Sequence, residues 1–236
     1  MKVKKIIIFG LNNIGNKILK FLKRKKIKIF LIKNNPSLLK VKKFKPDLIL
    51  SLGYRSIVPR EFLKIPKLGA YNMHKSLLPM NKGANPVFWT ILNMQNAGIS
   101  IHHMNSKIDN GPIVMQKKIN FDFSNNAKDI YEKLEIYQYK IFKEFWKKIN
   151  KGKLKIIKNK YLPSYHKKKD FLDKINLKSI DKKKFLYFLN FLRASTFPPF
   201  KNIIIQDNKK KYHVEIKIKE IKKNLKIKYG KLKSYK

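Results

Sequence analysis

Asn72 and His74 stand two residues apart at the end of an apolar run, in Asn72-Met73-His74-Lys75-Ser76-Leu77-Leu78-Pro79. In an extended segment, residues two apart point to the same side. An amide and an imidazole therefore face one cavity. Gly83 and Pro86 close this motif, and a carboxylate arrives from a later strand in Asp109-Asn110-Gly111. Amide, imidazole and carboxylate are what acyl transfer between two bound molecules needs. The amide donates to a developing oxyanion, the imidazole moves or holds a proton, and the carboxylate sets the imidazole's state. The plainer alternative is that Asn72 and His74 only satisfy buried backbone groups at a strand end. A Ser-Leu-Leu-Pro turn beside them and a distant D-x-G fit that alternative poorly.

The elements that must position these groups are legible as alternating strands and helices. Lys5–Phe9 reads as a buried strand ended by Gly10, and Ile14, Ile18, Leu19 and Leu22 follow at helical spacing. Ile27–Ile32 and Leu48–Leu52 read as strands around a short helix over Pro36–Phe44, with further strands over Gly69–Met73, Ile99–Met104 and Ile113–Ile119. Ile130, Leu134, Tyr137, Ile141, Phe145 and Ile149 form one long helical stripe, capped in front by Ser124-Asn125-Asn126 and closed by Gly152. This order predicts an α/β core with a Rossmann-like, mostly parallel sheet and right-handed crossovers. The expected division is a core over 1–155 and a small C-terminal α/β appendage over 156–236, packed on the core. In the appendage, Lys158–Asp170 reads as an irregular basic connection and Ser179–Leu192 as a helix. The alternations Val214-Ile216-Ile218 and Leu225-Ile227-Tyr229 read as two strands after a turn at Asp207-Asn208.

Gly10-Leu11-Asn12-Asn13-Ile14-Gly15 invites a dinucleotide reading, but Asn12 replaces the middle glycine of G-x-G-x-x-G. No acidic residue ends the second strand, where Lys33-Asn34-Asn35 stands. A tight strand–helix turn is the better reading. No cysteine is present, which excludes disulfides and thiolate metal sites, and no metal-ligand cluster is discernible. No apolar run approaches the ~20 residues of a membrane-spanning helix, so a cytoplasmic protein is expected. The net charge is +43, with lysine outnumbering arginine 53 to 4. Selection for phosphate contact usually brings arginine, whose planar fork binds bidentately. Lysines here lie in every segment beside abundant isoleucine and asparagine, so AT-rich codon usage explains the excess better than a nucleic-acid partner does, without excluding one.

The run N-x-H-x-S-L-L-P-x-x-x-G-A-x-P followed by D-x-G resembles the formyltransferases that use 10-formyltetrahydrofolate, from about Lys45 to Lys153 and more loosely to Ile205. The resemblance implies Asn72, His74 and Asp109 as the catalytic trio, with the proton work divided between His74 and Asp109 in a way the sequence leaves open. It implies that the pterin lies against Leu52-Gly53-Tyr54-Arg55-Ser56-Ile57 and against Ile108, Asn110 and Gly111 around Asp109. For Gly53 an ordinary turn is an equal reading. Related chains commonly carry acidic residues where Asn105-Ser106-Lys107 stands, and threonine where Asn110 stands.

The acceptor is suggested by Gly83–Trp89, by Ile99–His102 and by Arg193-Ala194-Ser195-Thr196-Phe197-Pro198-Pro199-Phe200, which look more like nucleotide-sugar N-formyltransferases than tRNA enzymes. The implied substrate is a nucleotide-linked deoxyamino sugar, destined for surface polysaccharide such as lipopolysaccharide. Phe197 and Phe200 are placed to stack on a base or, equally, to seal the tail. Arg193 suits a diphosphate, and Lys75, Lys82, Trp89 and His102 are further candidate substrate contacts. Only 31 residues follow Ile205, too few for the barrel that tRNA formyltransferases append. The alternatives are a shortened methionyl-tRNA formyltransferase and a non-catalytic nucleotide-sugar or nucleic-acid binding protein. A homodimer is compatible with all three.

Overall fold

The computed structural model describes residues 2–34, 37–54, 56–122, 125, 127–158, 161–175, 182–195, 201, 203–207 and 209–217. They divide into two compact units, 1–176 and 177–236.

The first unit is built on a six-stranded sheet of order β2-β1-β3-β4-β6-β7. Its strands are β1 (Lys5–Phe9), β2 (Lys28–Ile32), β3 (Leu48–Ser51), β4 (Ala70–His74), β6 (Ala97–His103) and β7 (Ile113–Ile119). The first four run parallel to one another, while β6 and β7 are added antiparallel. Strands such as Ile-Ile-Ile-Phe and Leu-Ile-Leu-Ser are continuous apolar runs because both faces of the sheet are covered.

Period-two alternation sorts those runs into two cores. Ile6, Ile8, Leu48, Leu50, Tyr71 and Met73 pack with α1 (Asn13–Arg24) and α5 (Ala127–Asn150). Ile7, Phe9, Ile49 and Ala70 pack with Val41 of α2 (Leu38–Phe44) and Phe62 of α3 (Arg60–Leu63). Along β4 the alternation therefore gives Tyr71 and Met73 to the α5 core and leaves Asn72 and His74 on the opposite side. The buried face of α5 carries Ile130, Leu134, Gln138, Ile141, Phe142, Phe145, Trp146 and Ile149. Gln138 takes the fully buried place that the stripe assigned to Tyr137 and donates to the Met73 carbonyl at 3.4 Å. Ser124 and Asn126, expected to cap α5, lie outside the described residues.

The core extends beyond the expected 155 boundary. Ile157 bridges Ile113, and β8 (Tyr165–His166) pairs in parallel with β5 (Lys82–Gly83). The segment read as an irregular connection thus holds a strand and the start of α6 (Lys168–Ile175). Between β5 and β6 lies α4 (Pro86–Leu92), opened by a proline whose missing N–H costs nothing in a first turn.

In the second unit, α7 (Lys182–Ser195) precedes a hairpin of β9 (Ile204–Asp207) and β10 (Lys210–His213), registered Asp207 to Lys210. β9 ends at Asp207 instead of the strands starting beyond it, and residues 214–217 lie outside any strand. The turn, and not the later alternation, sets the pairing. The Leu225–Tyr229 alternation lies outside the described residues. Among the described residues no helix is long and apolar enough to cross a membrane.

Candidate active site

The register of three strands assembles the site. Ser51 of β3 lies beside Asn72 of β4, and Asn72 lies across from His102 of β6. The β6–β7 connection then returns Asp109 to the same place. Asn72 Nδ2 donates to Asp109 Oδ1 at 3.0 Å, and His74 Nδ1 stands 3.4 Å from Asp109 Oδ2. The three residues separated in the sequence thus form one cluster.

Its surroundings are buried and hydrogen-bonded. Leu77 and Leu78 are buried, Ser76 Oγ donates to the Met80 carbonyl at 2.6 Å, and Ser100 Oγ donates to the Ser76 carbonyl at 2.7 Å. Gln116 Nε2 holds the Leu78 carbonyl at 2.7 Å. Asn81, Asn85 and Asp109 adopt positive φ of 53°, 53° and 46°. Asn and Asp are the non-glycine residues that most readily adopt such backbone.

Hydrogen bonds fix the ring chemistry. A carbonyl oxygen can only accept, so His74 Nε2, 2.8 Å from the Asn81 carbonyl, carries a proton. That leaves Nδ1 facing Asp109. Burial pushes the His74 imidazole below its ordinary value, and the nearby Asp109 charge only partly reverses this. Burial also pushes Asp109 upward, but His74, the His102 hydrogen bond and the Gly83 amide outweigh it and hold the carboxyl well below the usual carboxylate range. The Gly83 N–H donates to Oδ2 at 3.0 Å. The resting pair is a neutral imidazole and a carboxylate, with two lone pairs facing each other across the gap. That gap is a built acceptor for one proton.

His102 departs from its expected place among the substrate contacts. It is 2% exposed, and its Nδ1 donates to the His103 carbonyl at 2.7 Å. Its Nε2 points at Asp109 Oδ1 at 3.3 Å and at the Asn72 amide at 3.4 Å. It backs the trio from inside. Its neighbour His103 turns the other way, against the Tyr71 ring at 4.3 Å.

Several other expected contacts are also placed differently. Lys75, read as a phosphate contact, is turned into the protein, with its Nζ 3.4 Å above the Tyr131 ring and 3.7 Å from Glu135. Trp89 is buried, donates to the Ala84 carbonyl and stacks on His166 at 3.9 Å. Lys82 remains at the mouth, where Nζ donates to Asn110 Oδ1 at 2.6 Å. Leu52 is fully buried, its amide and carbonyl paired with Phe9 and Asn12, so it supports the loop from below. Gly111 is buried as well, where a Cβ would collide with the His103 carbonyl.

Gly53, Tyr54 and Ser56 do line an open cleft of about 350 Å³ together with Gly10, Leu11, Lys33 and Asn34. Ile57 is 71% exposed, and Ile108 and Asn110 are also at the surface. Arg55, Phe197 and Phe200 lie outside the described residues, as does the side chain of Arg193 at the end of α7. Among the described residues no group of three His, Cys, Asp or Glu could hold a metal ion. The sequence reading missed Asn81, Ser164 and His166, which hold the trio's partners. Only the polar Asn81 directly after the Leu-Leu-Pro-Met run signalled any of them.

Residues 11–145 match the formyl transferase family, more than half of the chain, and the chain belongs to that family. Residues 169–220 match an N-formyltransferase dimerization C-terminal domain. GDP-perosamine N-formyltransferase of Brucella melitensis is 31% identical over 172 residues, covering 72% of this chain and 65% of that protein. Methionyl-tRNA formyltransferase of Wolbachia pipientis is 46% identical over 92 residues, covering 39% of this chain and 31% of that protein. Among solved structures, the formyltransferase PseJ of Anoxybacillus kamchatkensis, in complex with UDP-4,6-dideoxy-4-formamido-L-AltNAc and tetrahydrofolate, superposes with a TM-score of 0.66. It is 29% identical, and the match covers 75% of this chain and 93% of that one. The chain spans less than two thirds of the length of the curated relatives it matches first.

Proposed function

We propose that this chain transfers the formyl group of 10-formyltetrahydrofolate to the amino group of a nucleotide-linked deoxyamino sugar, a cytoplasmic step in building surface polysaccharide such as lipopolysaccharide. The observation that carries the reading is the Asn72–His74–Asp109 cluster, with a neutral imidazole and a carboxylate facing each other around a one-proton gap.

The chemistry follows from that gap. The neutral amine attacks the formyl carbon and forms a C–N bond, while the carbonyl pair moves to oxygen. Asn72 Nδ2 keeps one hydrogen on Asp109 Oδ1 and stabilises the oxyanion with its other. The proton shed by the attacking nitrogen enters between His74 Nδ1 and Asp109 Oδ2, whose positions the Asn81 carbonyl and the Gly83 amide fix. Collapse of the intermediate breaks the bond to the folate nitrogen, which takes a proton back. The cleft at Gly53, Tyr54 and Ser56 borders this edge of the sheet and suits the pterin.

A sugar acceptor is supported by the match of residues 169–220 and by the 93% coverage of PseJ, a structure that holds a formamido sugar nucleotide. The tRNA enzymes match over shorter stretches. A homodimer is supported by the same C-terminal match and by exposed apolar groups on α7 and β9, including Tyr187, Phe188 and Ile204. The test is to incubate the protein with 10-formyltetrahydrofolate and a panel of nucleotide-linked amino sugars, with charged initiator tRNA alongside. Mass gain of one formyl group on a sugar is expected. Efficient formylation of the tRNA alone would show the wrong acceptor on the right scaffold, and no transfer to anything would remove the enzyme reading.

A further inference from the structure

The segment from Asn81 to Ala84 has two occupied edges. On one edge, the Asn81 amide donates to Ser164 Oγ at 2.8 Å, the Lys82 amide to the Ser164 carbonyl at 2.9 Å, and the Ala84 amide to the His166 carbonyl at 2.8 Å. On the other edge, the Asn81 carbonyl accepts from His74 and the Gly83 amide donates to Asp109. Main-chain groups of a strand alternate between its two sides. One short strand is thereby bonded on its left to residues eighty positions later and on its right to both members of the proton-accepting pair. Gly83 permits the close approach, because a Cβ there would meet the His166 carbonyl oxygen at a backbone φ of 87°.

The Asn81 side chain locks the arrangement. Thr90 Oγ1 donates to the Pro86 carbonyl at 2.9 Å, so it accepts from Asn81 Nδ2, which also donates to Gln95. That fixes which end of the amide is oxygen. Asn81 Oδ1 then accepts from Ser164 Oγ and from His166 Nε2, each at 3.3 Å. Asn81 is 1% exposed and holds its positive φ only because all these groups agree.

We propose that Ser164 and His166 are positioning residues for the transfer chemistry. Through Asn81 they set the His74 tautomer, and with the Gly83 amide they set the distance across the proton gap. Neither residue needs to touch a substrate. This rests on the functional reading above, yet it is testable without any reaction. A packing role for His166 through its stack on Trp89 makes the opposite prediction, because the two roles use different parts of the ring.

The experiment uses the full chain labelled with ¹⁵N in histidine. His166→Phe keeps a flat ring over Trp89 and removes the donor. His166→Gln keeps a donor and removes the ring. Ser164→Ala removes the acceptor of the Asn81 amide. In the unaltered protein at neutral pH, the His74 ring is expected as the Nε2–H tautomer. His166→Phe and Ser164→Ala should mix the two tautomers and lower kcat by roughly 10-fold with KM little changed, as a small misplacement does. His166→Gln should restore both signals. A native His74 spectrum in His166→Phe, with an altered one in His166→Gln, would overturn the proposal in favour of packing. Unchanged spectra in both His166 variants would overturn it as well. If Ser164→Ala fails to fold, the His166 pair still decides. A shifted spectrum in a protein that formylates nothing would keep the positioning network and remove the reaction instead.

Discussion

Two turns at the same edge of the sheet have opposite characters. After β1, the positive φ falls on Gly10, and the chain enters α1 under its own side-chain cap, with Asn12 Oδ1 accepting from the Gly15 amide at 2.9 Å. The Gly53 turn packs against that same Asn12, where a Cβ would meet its amide nitrogen at 2.8 Å. The helix start has spent its amide on Asn12, at the position where a dinucleotide fingerprint has glycine. After β4, positive φ falls on Asn81, Gly83 and Asn85, and the β6–β7 connection adds Asp109; the Asn81 carbonyl and the Gly83 amide hold His74 and Asp109 facing each other across a proton gap. The first turn is closed by its own cap and walls the open cleft with Gly10 and Leu11. The second holds titratable groups in place, which is what proton transfer needs.

The largest effect that separates the turns is on turnover. Asp109→Ala, His74→Ala and Asn72→Ala should each lower kcat by ~100-fold or more while circular dichroism stays native, since each removes an oxyanion or proton-transfer contact. Near-normal turnover in two of the three would erase the contrast.

Acid should act on the His74–Asp109 pair, beside His103 and His166, whose imidazoles burial also pushes below their ordinary value. His74 has a folded pKa below its unfolded value, so its share of stability is lost as pH falls from about 6.5 toward that lower value. Asp109 is also depressed, so its share is present above about 4 and is lost on further acidification. Both signs predict a melting temperature that drops with acid. A His74→Gln variant should lose the upper part of that drop, and an unchanged profile would contradict the neutral imidazole.

Smaller effects belong to the first turn. Gly53→Ala puts a Cβ against Asn12 at positive φ, and should destabilise by about 1 kcal/mol or more in urea melts. Asn12→Ala removes a helix cap and should cost about 1 kcal/mol with kcat unchanged. A large loss of kcat in Asn12→Ala would give this turn a chemical role it lacks here.

What was legible in the sequence follows the same division. Apolar runs announced β1, β3, β4, β6 and β7, and the long stripe announced α5, because each carries several repeats of one period. That Asn72 and His74 share a side was legible because N-x-H is itself a strand period, whereas Asp109 was marked only by the separate D-x-G. β5 and β8 were not, since two residues show no period and their pairing exists only after the chain returns from α5. Lys75 was read as a substrate contact, and only the packing of Tyr131 and Glu135 around it turns it into the protein. His102 was noticed, but its place across from Asn72 depends on β4–β6 register, which no local pattern gives.

The central claim is that the proton leaves the acceptor amine into the gap between His74 and Asp109. The most direct measurement is the rate of sugar formylation by Asp109→Asn beside the unaltered protein, both saturated with 10-formyltetrahydrofolate and amino sugar. The neutral amide keeps the shape of the carboxylate but not its charge. The account predicts native folding, retained binding of both substrates and a kcat lowered by ~100-fold or more. A kcat within a few-fold of the unaltered protein would contradict it.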